Sequence, residues 1–212
     1  MRRSSTPRST RLLSVERRLN KSGYKLIAGV DEAGRGPLAG PVVAGAVILK
    51  TFDFTSEIDD SKKLSPGKRD KAYLEILKNC HVGVGIIDEA TIDSINIYRA
   101  TIRAMEAALA QLKPTPDYVI VDGRMKLTAG CPVKSIVKGD SKSLSIAAAS
   151  IVAKVTRDRI MEGYHQRYPQ YGFKKHKGYP TKSHKAALEE HGPSPIHRRS
   201  FRPVMECGMV LY

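Results

Sequence analysis

The chain has 212 residues, 41% of them hydrophobic, which is enough to bury the core of one sizeable α/β domain and excludes wholesale disorder. Its 36 Lys and Arg against 21 Asp and Glu leave a formal charge of +15, concentrated at the ends: residues 1–25 carry a net +7 and residues 165–212 a net +6 around a nearly balanced body. Cys80, Cys131 and Cys207 form no CxxC pair, no apolar run reaches the roughly 18 residues of a membrane span, and the Arg-rich start lacks an apolar signal core, so a disulfide scaffold, a membrane anchor and secretion are all disfavoured and a cytoplasmic location is expected.

Residues 1–22 read as a basic extension. Tyr24 to Val30 and Pro41 to Leu49 read as strands, joined by a short connection rich in Gly and Pro. Ser65-Pro66 starts a helix, Ser as the cap and Pro in the first turn, that runs to about Asn79. His81 to Ile87 is a third strand. Ile95, Tyr98, Ile102, Met105, Leu109 and Leu112 recur at helical spacing until Pro114 and Pro116 stop them. Asp117–Asp122 and Val133–Val137 are further strands, and Ser141 to about Tyr168 is the longest helix, with a small-residue surface suited to close packing. After Pro169 the texture changes to Gly, Pro, Tyr, His and Lys, with one more helix over Lys182–His191 ended by Gly192-Pro193. Strands alternating with helices predict an α/β sheet over residues 23–168, followed by a basic C-terminal extension, 169–212. The Val204–Tyr212 tail is apolar enough to dock on the body or on a partner.

Four acids stand where functional residues gather in such a fold, at strand ends and the loops that leave them. Asp31 and Glu32 follow an apolar strand and precede Gly34-Arg35-Gly36. Asp122 ends Tyr118-Val119-Ile120-Val121. Asp140 precedes the long helix. Hard carboxylate oxygens select magnesium or manganese, and two such ions can activate a water and stabilise a leaving oxygen in a phosphoryl displacement. Cations at the chain ends would hold the polyanion being cut. Taken singly, Asp140 reads equally well as a helix cap and Asp122 as a turn residue. The Asp31-Glu32 pair has no such folding purpose, and on a regular strand its two side chains would face opposite ways, so they share a site only if the strand ends or bulges there.

These residues carry a resemblance. Asp31-Glu32-Ala33-Gly34-Arg35-Gly36-Pro37 resembles the opening motif of the type 2 ribonucleases H, specifically the bacterial ribonuclease HII form; the type 3 enzymes lack this Gly-Arg-Gly. Asp60-Ser61-Lys62-Lys63-Leu64, Val121-Asp122-Gly123, Lys138-Gly139-Asp140, the run Ala147–Asp158, His176–Thr181 and His197–Phe201 follow in the family's order, covering about residues 25–204. The resemblance implies a ribonuclease H-like mixed sheet flanked by helices, with a helical C-terminal extension that binds substrate. It implies an endoribonuclease that cuts the RNA strand of RNA/DNA hybrids and on the 5′ side of single ribonucleotides embedded in duplex DNA, leaving a 3′-hydroxyl and a 5′-phosphate. It implies Asp31, Glu32, Asp122 and Asp140 as catalytic residues and as ligands of two Mn2+ or Mg2+ ions. It places the ribose-reading loop on Gly34, Arg35 and Gly36, with Tyr179 as its partner.

Glycines at 34 and 36 allow close backbone approach, and a hydrogen bond to the 2′-hydroxyl is what separates RNA from DNA. Arg35 reads as a phosphate or a ribose contact. Lys62 and Lys63 are candidates for backbone phosphates, and His176 and His197 read as hydrogen-bonded structural histidines before proton carriers. The expected partners are RNA/DNA hybrid and DNA with embedded ribonucleotides, with a replication clamp as a further candidate and a monomer as the expected state. Two rivals stand beside this reading. A non-catalytic hybrid-binding protein would bind and never cut. A resolvase or strand transferase of the same fold class would have no use for a loop that reads a 2′-hydroxyl.

Overall fold

Five strands form one mixed sheet in the order β3-β2-β1-β4-β5. The structure, a computed structural model, describes residues 12–209. Strands β1 (Ile27–Ala33), β2 (Val42–Leu49) and β3 (Cys80–Ile87) make an antiparallel meander. Strands β4 (Tyr118–Asp122) and β5 (Val133–Ile136) extend it, each parallel to its inner neighbour. The helices are α1 (Ser14–Lys21), α2 (Pro66–Asn79), α3 (Glu89–Ala110), α4 (Leu144–Arg167), α5 (Phe173–His176), α6 (Lys182–His191) and α7 (Arg202–Met209).

The sheet is covered on both faces, and the period of two along each strand sorts its residues between them. Ala28, Val30, Val42, Ala44, Ala46 and Ile48 pack with Ala100, Ala104, Met105 and Ala108 of α3. On the other face Val47 packs with α2 and α4 through Ala72, Ile76, Ala147, Ile151 and Val152. There Gly29 and Gly45 present no side chain, and a Cβ at either would collide with the α4 backbone at Ser145 or Ala149. Helix α4 therefore lies directly on the centre of the sheet, which is what its Ala- and Ser-rich surface is for.

Differences from the expected elements have local causes. Helix α3 begins six residues earlier than its apolar spacing suggested, across a break at Asn96 (φ 67°) whose side chain accepts from the Arg99 amide at 3.1 Å. Helix α1 is part of the body. Its Val15 and Leu19 bury against Ile27, Ile120 and Ile146. Its Glu16 carboxylate accepts from Ser143 Oγ (2.6 Å), Ser145 N (3.0 Å) and Ser145 Oγ (2.8 Å) at the start of α4. The described part of the C-terminal tail docks on the body through Val204, buried with Leu38 and Leu188. Among the described residues no helix is long and apolar enough to cross a membrane.

Candidate active site

Because β1, β4 and β5 run in one direction, their C-terminal ends lie along the same edge of the sheet, where ligands of α/β folds gather. Asp31 is near the end of β1 and Asp122 ends β4. The chain leaving β5 reaches Asp140 within a 3-10 turn, Gly139–Ser141. Strand β1 neither ends nor bulges away from β2 at the acidic pair, the two courses the sequence left open. It stays in register with β2 through Asp31↔Gly45, Glu32↔Ala44 and Ala33↔Val43. What stops is its other ladder: pairing with β4 ends at Val30↔Val121, so beyond Val30 the strand is partnered on one side only.

Asp122 and Asp140 are not spent on the local roles open to them. Asp122 Oδ1 accepts from the Gly139 amide at 2.6 Å, which ties the end of β4 to the turn carrying Asp140. The cap of α4 is Ser143, whose Oγ accepts from Ile146 N at 3.2 Å, and Asp140 stands outside it.

The four acids share one electrostatic field. Burial, then the charges of Glu32, Asp122 and Asp140, hold the Asp31 carboxyl well above the usual carboxylate range, against a hydrogen bond from the Glu32 amide at 2.7 Å. Burial raises Glu32 as well; Arg35 opposes this from 3.2 Å and Asp122 adds to it. Asp140 is raised by burial and by the charges of Asp60 and Asp122, with Lys62 acting the other way. Burial alone would lower Lys62, yet Asp60, Asp31, Asp140 and Asp122 together lift it. Lys62 is thus the cation that senses the whole cluster. Lys63 turns instead to Asp59, at 3.4 Å.

Among the described residues, no three His, Cys, Asp or Glu side chains stand together as a ready metal cage. The donor set still suits a hard divalent cation. All four candidates are carboxylates, and three of them hold their protons more tightly than usual because they are buried and, secondarily, because like charges stand near them.

A cleft of about 500 Å³ opens beside Asp31 and Glu32, lined further by Gly34, Arg35, Gly36, Lys62, Lys154 and Tyr179. Asp122 and Asp140 do not line it. Gly34 is a structural requirement: its φ is +97°, and a Cβ there would run into the Arg157 side chain. Gly36 is not. A Cβ there would meet only Tyr179 Cε1, at 3.9 Å. The fold would therefore accept a side chain at 36, and the glycine leaves this stretch of the cleft wall bare. Tyr179 stands across from it, 41% exposed and not a core aromatic.

Two arginines to which the sequence reading gave no role hold this architecture. Arg157 (1% exposed) and Arg198 (0%) lie beneath the loops with their guanidinium groups on backbone carbonyls. Arg157 donates to Pro41 O (2.9 Å), Lys177 O (2.9 Å) and Ala39 O (3.0 Å). Arg198 donates to Gly34 O (2.6 Å), Arg35 O (3.0 Å) and twice to Gly40 O (2.7 and 2.9 Å). Burial, and then the charge of Arg157, lower the Arg198 guanidinium to about 9. The carbonyls of Gly34 and Arg35 are turned inward onto Arg198. Ser150, read as a packing residue, hydrogen-bonds Ser61 Oγ at 2.7 Å and anchors the segment carrying Lys62 to α4. Lys154, one turn on, pairs with Asp158 at 2.7 Å and reaches the cleft wall. For Ser150 and Lys154 a signal was present, polar and charged side chains at helical spacing within an otherwise small, apolar helix; Arg198 lies outside that helix and offers none.

A family model, ribonuclease HII, matches residues 28–204. The ribonuclease HII of Geotalea daltonii is 56% identical over 196 residues, covering 92% of this chain and 91% of its relative. The solved structure of ribonuclease H2 from Pyrococcus horikoshii superposes with a TM-score of 0.76 at 28% identity, over 88% of this chain and 98% of that one. The ribonuclease HII of a complex with PCNA from Archaeoglobus fulgidus gives 0.71 at 26% identity, over 84% and 96%. Fold and site together define a nuclease, a phosphodiester hydrolase with the ribonuclease H-like mixed sheet. The chain belongs to the ribonuclease HII family. Its activity is that of an endoribonuclease on RNA/DNA hybrids.

Proposed function

We propose that the enzyme cuts 5′ of single ribonucleotides embedded in duplex DNA as well as within longer hybrids, leaving a 3′-hydroxyl and a 5′-phosphate. The observation that carries this is the pairing of Gly36 with Tyr179 across the cleft beside Asp31 and Glu32. A bare backbone facing an exposed aromatic is suited to grip one sugar: the loop backbone reads the 2′-hydroxyl and the tyrosine ring packs against the ribose and its neighbour. A reader one sugar wide needs no run of ribonucleotides.

Asp31, Glu32, Asp122 and Asp140 would hold two divalent ions, Mn2+ or Mg2+, which when bound activate a water and stabilise the leaving oxygen. The protein supplies the rest. Arg198 and Arg157 fix the loop, Arg35 balances Glu32, and Lys62 and Lys154 place positive charge where the phosphate enters. Lys63, held at Asp59, is a weaker phosphate candidate than Lys62. The similarity to a ribonuclease HII solved with PCNA supports a sliding clamp as a partner.

The test is a DNA duplex with one ribonucleotide, incubated with Mn2+, Mg2+ or chelator. Cleavage 5′ of the ribonucleotide, lost with chelator and with Asp122→Asn, is expected. Asn keeps the acceptor for the Gly139 amide and removes only the charge, so the variant should fold while losing on the order of 10²-fold or more in rate. An intact duplex under every metal condition rejects the proposal. Tyr179→Ala should impair the single-ribonucleotide substrate and leave metal binding near normal.

A further inference from the structure

Beneath Tyr179 lie three imidazoles that no step above uses. His184 and His197 are buried, and their hydrogen bonds admit one proton arrangement. His197 Nδ1 is 2.9 Å from the Ser194 amide nitrogen, which can only donate, so Nδ1 accepts. The His197 proton is therefore on Nε2, which faces His184 Nε2 at 3.0 Å and donates to it. His184 must then carry its own proton on Nδ1, which donates to the Tyr179 carbonyl at 2.9 Å. The chain is directional: Ser194 N–H to His197, His197 to His184, His184 to Tyr179. His176 is fixed in the same manner, accepting from Gly178 N at 3.2 Å and donating to Tyr171 O at 2.7 Å.

Burial is the first cause that lowers both relay histidines, His197 to about 4, so the neutral forms that the geometry needs are the forms present at neutral pH. A pair of aliphatic side chains would fill this space without desolvating two rings. What imidazoles add is direction. The Tyr179 ring is exposed, with the Lys154 and Arg157 cations 5.9 Å from its centroid, and its carbonyl accepts from Thr181 N at 2.8 Å as well as from His184. His184 is the one side chain that donates to this carbonyl among the described residues.

We propose that Ser194, His197 and His184 are positioning residues for Tyr179, and that their directed hydrogen bonds set how strongly the enzyme prefers a single embedded ribonucleotide over a long hybrid. This rests on the reading of Tyr179 given above. The readout is the ratio of kcat/KM on the two substrates, which a general loss of packing would leave alone.

His184→Asn keeps a donor in the place of Nδ1, whereas His184→Gln puts its amide near Nε2 and loses the donor to Tyr179. The Gln variant should lower the ratio about tenfold, the worth of one net hydrogen bond. The Asn variant should recover most of it, and neither should change the ratio further in a Tyr179→Ala background. Equal ratios in both variants, or a full further loss on top of Tyr179→Ala, overturn the relay. If Tyr179→Ala shifts the ratio and His184→Gln does not, the relay alone fails. If Tyr179→Ala leaves the ratio flat, the reading of Tyr179 fails and takes the relay with it. Should His184→Gln not fold, His197 offers the mirror pair: Gln keeps the donor toward His184 and the ratio, and Asn loses both.

Discussion

Replacing Arg198 by Met should cost the fold about 4 kcal/mol and take the Gly34–Gly36 loop with it. The side chain makes four hydrogen bonds to three carbonyls, those of Gly34, Arg35 and Gly40, and has no exposed surface. Methionine matches its length and apolar stem but leaves all three acceptors unpaired. A buried acceptor left without a partner costs about 1–3 kcal/mol, so the three together cost roughly 3–9 kcal/mol. Two effects reduce that sum: the variant no longer buries a charge, and water can reach a loop at the surface. The lower half of the range is therefore the expectation. Arg198→Lys should cost about half as much, because an ammonium is a point donor and cannot span three carbonyls as a planar fork does. Urea denaturation followed by circular dichroism gives both values from midpoints at constant slope. Activity should follow the loop: both variants should lose more on a single-ribonucleotide duplex than on a long hybrid. A Met variant within about 1 kcal/mol of the parent would show that the carbonyls find other partners and that Arg198 does not hold the loop.

Three further outcomes are expected. Glu16→Ala strips the acceptor from Ser143 and Ser145 and should destabilise by about 2–3 kcal/mol, whereas Glu16→Gln, which retains an acceptor, should cost less than half of that; equal urea midpoints for the two variants would contradict this. Asp31→Asn should raise the melting temperature of the metal-free protein at pH 7 while abolishing cleavage. A carboxyl held above its ordinary range destabilises the fold where it is ionised, so the gain should vanish as the pH falls and the parent takes up its proton; a variant that melts lower at pH 7 would refute an Asp31 carboxyl raised by burial and neighbouring charge. His197 is lowered from 6.5 to about 4, so its contribution is complete above pH 6.5 and is lost as the pH falls toward 4. At about 1.4 kcal/mol per unit, the stability difference between parent and His197→Gln should shrink by about 2–3 kcal/mol between pH 7 and 4.5, and a constant difference would rule out a neutral, buried His197.

The elements and the acids were legible in the sequence because they announce themselves by period and punctuation. Apolar runs bounded by Gly and Pro place β1 and β2, Ser65-Pro66 starts α2, and carboxylates after apolar runs mark the edge of the sheet. What was not legible is what depends on distant pieces meeting. Nothing local in Ser-Val-Glu-Arg says that Glu16 will bond to Ser143 and Ser145, 127 and 129 residues away. Arg157 and Arg198 look like two more cations in a basic chain, and only the fold shows them buried on carbonyls. Lys62 and Lys63 are neighbours of the same type, and their different roles follow from which acid each one meets. The condition that β1 end or bulge at the acidic pair left out a third course: a strand can keep one neighbour and lose the other, and sequence period does not say which.

Helix α4 touches every part of the machinery in turn. Its first residues meet Glu16 next to the turn of Asp140, Ser150 holds the Lys62 segment, and Arg157 carries the loops of Gly34 and Tyr179. At 1.5 Å per residue, Ser143 to Arg157 is a rod about 21 Å long. It works as a gauge block between the edge that carries the acids and the loops beside Tyr179. One residue inserted along it would turn everything downstream by about 100° and lengthen the rod by about 1.5 Å, pointing Arg157 away from the carbonyls it supports. Selection on this stretch should therefore tolerate exchanges of side chain far more readily than any change in its length.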